Sequence, residues 1–254
     1  MFFYLKYILS FFLSFCLSFL FTANGQATSE KLYDVVEEIK YNIYRNDKLV
    51  GDLLFTFEEG DDMVVTMDLK VLVKIAFITF DYHHKETETF DIEEGFLKSM
   101  ESQTDKNGDI YNVNISRDEA GYNIEGSEFG EEFSDLLNDK GYLDKDFSLT
   151  SWWDSGVINK TLLVHTETGR MIPVDVTLIG MEQIENERCG TVNANHWHFK
   201  SSKGKKFIMD AWYINDFFPM QLWFSKNGKF LYELASYKLR NGVETIDSAL
   251  NCSE

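Results

Sequence analysis

The feature that most constrains this chain is the spacing of its turn signals. From Val36 onward, alternating polar and apolar runs are broken at Asn46-Asp47, Glu59-Gly60-Asp61, Glu94-Gly95, Asn107-Gly108 and Ala120-Gly121. Asn-Gly between such runs is a strong hairpin signal, because a type I′ turn needs φ > 0 at both central residues. The runs are rich in aromatic and β-branched residues, which favour strands. After Lys160 the pattern resumes, with turns at Thr168-Gly169, Lys203-Gly204 and Asn227-Gly228. Only Pro173 and Pro219 stand where they could interrupt a ladder. No long helical stripe is present. Between Ser127 and Lys160 the chain is less periodic and more acidic, which reads as a short helix or an irregular segment in the middle. The prediction is an all-β protein: one large antiparallel meander over residues 30–250, of roughly ten strands or more. A sheet that wide curls into a barrel or half-barrel, or folds into a sandwich.

The chain opens with "MFFYLKYILSFFLSFCLSFLFTANGQA". Lys6 is its only charge, and the apolar stretch from Tyr7 to Phe21 is shorter than the ~20 residues a membrane span needs. Small residues near Gly25 and Ala27 offer a cleavage site. Residues 1–26 therefore read as a secretory signal peptide, with an uncleaved anchor as the rival. Cleavage leaves no transmembrane segment and puts the domain in the periplasm or outside the cell. Export permits oxidation, so Cys189 and Cys252 are candidates for a disulfide, with two unpaired thiols as the alternative. The 42 acidic against 24 basic residues give a formal charge of -18. Such a surface does not neutralise phosphates, which argues against nucleic-acid partners and against anionic lipid surfaces.

Five segments occur in a recognisable order. They are "YNIYRNDKLVGDLLFTFE", "DYHHKETETFDIEEGFLKSMESQTDKNG", "TSWWDSG", "TETGRMIPVDVTLIGMEQI" and "DAWYINDFFPMQLWFS". In these segments the chain resembles a family of exported bacterial β proteins known only as a domain of unknown function. More distantly it is similar to the curled β-sheets of periplasmic lipoprotein carriers. The resemblance implies a curled sheet around an apolar cavity, and it brings no catalytic residues. The acidic stretch "LLNDKGYLDKDF" fits it least.

Candidate chemistry centres on "NANHWHF". On a strand His196 and His198 share a face. If the following hairpin sets Lys200 opposite Lys206, His196 lies opposite Asp210, with Trp212 on the same face. Two imidazoles and a carboxylate can hold Zn²⁺ or Fe²⁺ with a position left open. A one-residue slip would send Asp210 to the other face. The alternative is a half-exposed histidine pair, with Trp197 and Phe199 turned to the core. His83 and His84 are adjacent and face opposite ways. Asp105, Asn107 and Asp109 begin like a calcium loop, but Ile110 stands where the turn needs glycine, so a hairpin is the better reading.

No Gly-x-Ser-x-Gly elbow is present, and Cys189 has no activating neighbour in sequence. Glu86 and Glu88 share a face, and paired carboxylates can do acid–base work. In so acidic a chain they read as solvated. Trp152 and Trp153, beside an irregular segment, either plug a barrel end or line a pocket. With Trp212 they are the candidate lining. The expectation is a non-catalytic envelope protein that binds an apolar ligand, such as a lipid or acyl chain, or docks another envelope component, with no cofactor. The alternatives are a metal-dependent enzyme built on His196, His198 and Asp210, and a purely structural surface protein.

Overall fold

The structure is a computed structural model, and it describes residues 35–75, 78–119, 121–128, 131–137, 147–202, 207–214, 219–224 and 230–240. The expected signal peptide, Cys252, most of the acidic stretch, and the turns at Lys203-Gly204 and Asn227-Gly228 lie outside these residues. The chain divides into two units, Met1–Lys31 and Leu32–Glu254, and the second holds every described residue.

Among the described residues, fifteen strands make one sheet. They are β1 (Val36–Arg45), β2 (Lys48–Glu59), β3 (Asp62–Ile75), β4 (Ile78–Asp91), β5 (Leu97–Lys106), β6 (Asp109–Asp118), β7 (Gly121–Glu128) and β8 (Glu131–Leu137). Then follow β9 (Phe147–Leu149), β10 (Leu162–Val164), β11 (Met171–Asn186), β12 (Gly190–Ser201), β13 (Ile208–Tyr213), β14 (Pro219–Phe224) and β15 (Phe230–Leu239). A 3-10 turn, Ser155–Asn159, interrupts them, and the Asp154 side chain caps it by accepting from the Gly156 N–H.

The turn chemistry behaves as the sequence predicts. Asn46 and Asp47 have φ of 50° and 61°, and Asn107 and Gly108 have 57° and 96°. Both central residues of each hairpin thus lie in the left-handed region a type I′ turn demands. The Asp105 carboxylate accepts from the Gly108 N–H, so the calcium-like residues serve a hairpin.

The order in the sheet is β8-β7-β6-β5-β4-β3-β2-β1-β15-β14-β13-β12-β11-β10-β9. This is a meander with one jump. The chain starts in mid-sheet, walks out to the β8 edge, crosses to the β9 edge, and walks back until β15 pairs with β1. Every pairing is antiparallel except β9 with β10, which is parallel. Residues 150–161, which hold the 3-10 turn and join β9 to β10, carry the chain back so that β10 starts beside the start of β9.

The sheet is curled. Residues of β9 and β10, at one edge, pack on β5, β6 and β7 near the other. Phe147, Leu149, Leu162 and Val164 share one cluster with Met100, Val113, Ile115 and Ile124. Tyr122 on β7 meets Phe147 edge-on at 4.9 Å. Two more clusters line the inner wall, one around β1 to β3 and one around β12 to β14. The Tyr41 hydroxyl, fully buried, donates to the Pro219 carbonyl at 2.7 Å and ties β1 to β14 over the intervening β15. Burying apolar side chains of this size contributes about 1.5–3 kcal/mol each. That accounts for the alternation of buried positions that runs through most of β1, β2 and β3.

Candidate functional site: a buried acid pair

The inner face of β3 is apolar at Met63, Val65, Met67 and Val71. Its partners across the ladder are not. Leu69 pairs with His84, Met67 with Glu86, and Val65 with Glu88. One strand further, His84 pairs with Thr104, Glu86 with Ser102, and Glu88 with Met100. Backbone register thus places a histidine and two carboxyl groups in a row on the wall of the curled sheet. All three are buried, with 2%, 3% and 2% exposure. The expectation of a solvated face for Glu86 and Glu88 is corrected: the curl, invisible in local sequence, encloses the face they share.

The far side of the curl covers the row. The indole N–H of Trp153 donates to Glu88 Oε2 at 2.8 Å. The Ser102 hydroxyl donates to the Thr166 carbonyl at 2.5 Å. His84 Nδ1 lies 2.6 Å from Thr104 Oγ1, and Nε2 lies 3.0 Å from Glu86 Oε2. The network closes when Thr104 O–H donates to Nδ1 and Nε2–H donates to Glu86, which makes His84 neutral. At the rim, Tyr82 O–H donates to Glu167 Oε2 at 2.9 Å, and Lys106 forms an ion pair with Glu167. Burial works to raise Glu167, but Lys106, the charge of His165 and the Tyr82 hydroxyl outweigh it and hold that carboxyl below its usual range.

Burial sets the protonation of the row. Desolvation drives His84 down from 6.5 to about 4. It drives Glu86 up from 4.5 to about 7, against hydrogen bonds from Glu88 and Thr166 that favour the ionised form. Glu88 rises well above its usual range, first through burial and then through the neighbouring Glu86 charge. The two carboxyl groups stand two residues apart on one face of β4, so each bears on the other's ionisation. Glu86 Oε1 and Glu88 Oε1 are buried without a hydrogen-bond partner. Two neighbouring acids so far from water do not both ionise, so at least one of them holds its proton. Chemically, the pair can donate to, accept from, or exchange a proton with a polar group brought into the interior.

The other sequence-predicted residues are distributed as follows. Trp152 and Trp153 are both buried but diverge. Trp152, at φ 66°, packs on Phe199, Phe207 and Phe224 with centroids 5.2, 5.9 and 6.2 Å away. A left-handed backbone is unusual for so bulky a residue, and the ring contacts hold it there. Trp153 meets Phe57 and Phe90 edge-on at 5.6 and 5.7 Å. Trp212 shares no ring contact with either, though it packs at the margin of the cluster that holds Trp153. On β13 Met209, Ala211 and Tyr213 are buried, while Asp210 and Trp212 lie half-buried on the opposite face.

There Trp212 stacks on His196, with centroids 4.3 Å apart. The register is offset by two residues from the expected one: His198 pairs with Asp210, His196 with Trp212, and Lys200 with Ile208. An even offset preserves faces, so the four residues are together. His196 Nε2 and His198 Nδ1 both point at Asp210 Oδ1, at 2.8 and 2.9 Å, and His196 Nδ1 lies 2.9 Å from Glu182 Oε1. Among the described residues no group of three His, Cys, Asp or Glu stands in an arrangement that could hold a metal ion. Cys189 is disulfide-bonded, and Cys252, its expected partner, lies outside the described residues.

A signal for the buried row was present. Phe80, Tyr82, His84, Glu86, Glu88 and Phe90 fall on one face of β4, so aromatic residues bracket the polar three. Tyr82 stacks over His84 at 6.4 Å.

This architecture defines a class: a curled, barrel-like β domain with an acid pair on its inner wall. A solved structure of similar fold is the beta-barrel-like protein of the DUF1849 domain of unknown function from Brucella abortus. It is 7% identical, with a TM-score of 0.60, and the match covers 82% of this chain and 98% of that one. The family model for the domain of unknown function DUF6134 matches residues 41–234, and the chain belongs to that family. No curated protein matches the chain.

Proposed function

We propose that this is an exported, non-catalytic envelope protein whose curled sheet holds a small hydrophobic molecule, with the molecule's polar end against Glu86 and Glu88. The observation that carries this reading is the acid pair itself. Two buried carboxyl groups, each with an oxygen that has no hydrogen-bond partner, face the interior beside apolar Met63, Val65 and Met67. A buried polar group left so costs about 1–3 kcal/mol, and a ligand contact would offset that cost. Trp153, Phe57 and Phe90 supply the adjoining apolar surface. The apolar leader over residues 1–26 and the disulfide at Cys189 support export, since disulfides persist in oxidising compartments. The pair's chemistry selects the polar end: a hydroxyl, amide or ammonium group can bond it, whereas a carboxylate meets like charge.

The test uses three probes of equal chain length: a long-chain alkyl alcohol, amine and fatty acid. Binding is followed by Trp fluorescence and by native mass spectrometry of the purified protein. The expected result is saturable binding of the alcohol or amine, weaker binding of the acid, and loss of that preference in E86A and E88A. No binding by any of the three, together with no co-purified small molecule, would leave only a structural role.

A second reading rests on the placement of His196, His198 and Asp210 on one face: a metal-dependent enzyme using Zn²⁺ or Fe²⁺. It ranks lower because Asp210 Oδ1 already engages both ring nitrogens. Stoichiometric metal in the purified protein, absent in H196A, would reverse that ranking.

A further inference from the structure

β11 spans Met171–Asn186, yet β10 pairs only with Met171 to Pro173. Val174 N–H still donates to the Thr161 carbonyl. From Asp175 to Asn186 the strand is hydrogen-bonded on one side only, to β12. Among the described residues, this is a free sheet edge 12 residues long, from 175 to 186. A free edge is a template for another strand, and proteins blunt such edges with charge or bulges. This edge has a bulge between Leu178 and Gly180, but its centre is apolar. Leu178, Ile179 and Met181 straddle the bulge at 50%, 54% and 73% exposure. Beyond them the charges are all of one sign. Asp175, Glu182 and Glu185 are acidic, and no Lys or Arg occurs between Met171 and Glu187.

This pattern says what could dock. A second copy is disfavoured: antiparallel self-pairing centred on Gly180 would set Asp175 against Glu185 twice, in chains already carrying a charge of -18. We infer that the β11 edge is a docking site for an extended segment of another protein, in which apolar residues alternate with Lys or Arg. Main-chain hydrogen bonds along residues 175–186 supply the pairing, and alternate side chains supply the selectivity. The apolar residues cover Leu178, Ile179 and Met181, and the basic ones meet Asp175, Glu182 and Glu185. The inference is independent of any ligand inside the curl.

The test titrates the purified protein with a fluorescent ten-residue peptide alternating Val and Lys, and with its Val/Glu counterpart. The basic peptide should bind saturably, lose affinity as salt rises, and slow amide hydrogen exchange over residues 175–186. The I179K/M181K variant should weaken binding at least tenfold. Both side chains are exposed, so the fold should survive, and an unchanged circular dichroism spectrum checks this. Equal binding of the Val/Glu peptide would overturn the charge argument. Protection elsewhere but not at 175–186 would overturn the site. A dimer in sedimentation that disappears in I179K/M181K would overturn the choice of partner in favour of a second copy.

Discussion

Two regions of this protein use the same local chemistry and turn it to different ends. On β4, His84, Glu86 and Glu88 follow one another at every second residue and face the interior. On β12, His196 and His198 have the same spacing and meet Asp210 of β13 on the other face of the sheet. In the first region the acids are almost wholly removed from water, and burial pushes Glu86 up to about 7. In the second, Glu182, which also contacts His196, is exposed, and hydrogen bonds from Trp212 and His196 hold its carboxyl below the usual range. Glutamates thus move in opposite directions in the two places. The direction follows from whether desolvation or hydrogen bonding dominates. Residue type and spacing alone do not distinguish a site from a surface; enclosure does.

The largest expected effect removes the inner region's lid. W153A deletes a buried ring held by Phe57 and Phe90 and strands Glu88 Oε2. It should cost about 3–5 kcal/mol, the range for deleting a large aromatic from a core. W153F keeps most of the ring and loses only the donor, so about 1–3 kcal/mol is expected. Urea midpoints for the two variants check the order. Equal small losses would mean that the interior row is not enclosed.

The next effect is a pH dependence that only the inner region should show. Folded Glu86 and Glu88 hold their protons above the ordinary 4.5, so the folded state binds more protons than the unfolded chain as pH rises past that value. Their contribution to stability is complete below 4.5 and is lost as pH rises through the raised values, which for Glu86 is about 7. His84 has the opposite sign. Lowered from 6.5 to about 4, it contributes fully above 6.5 and loses that contribution as pH falls through 4. Between 4.5 and 6.5 the histidine offsets one of the two acids; above 6.5 nothing in the row does. Glu167, at the rim, is held below its usual range and stays ionised throughout this window. Unfolding free energy of wild type minus that of E86Q should therefore fall by about 3 kcal/mol between pH 4.5 and pH 8. Taking the difference cancels the surface repulsion common to both proteins. A flat difference would place Glu86 in water.

How much of this was legible in the sequence follows from the range of the interactions involved. The hairpins at Asn46-Asp47 and Asn107-Gly108 are local, and their residues announce them. The all-β class and the width of the sheet follow from the same punctuation. The pairing of β1 with β15 does not, because it joins segments nearly 200 residues apart. The buried row stayed hidden for a related reason. In "HHKETETF" every other residue is polar on both faces, so alternation cannot say which face turns inward. Only the aromatic residues at Phe80, Tyr82 and Phe90 hint at it. For His196, His198 and Asp210 the shared face was legible because it survives any even offset in register, while the direct partners were not.

The smallest expected effect sharpens the contrast from the outer side. His196 and Asp210 approach to 2.8 Å, with side chains 14% and 13% exposed. Next to them, however, Glu182 is open to water, and water screens an exposed pair strongly. A double-mutant cycle of H196A and D210A should return a coupling of about 1 kcal/mol or less. The same cycle on W153F and E88Q should return more, because both partners there are buried and neither has water as a substitute. Equal couplings would mean that distance governs both regions. In that case enclosure by the curl would no longer explain why carboxyl groups on one sheet titrate in opposite directions.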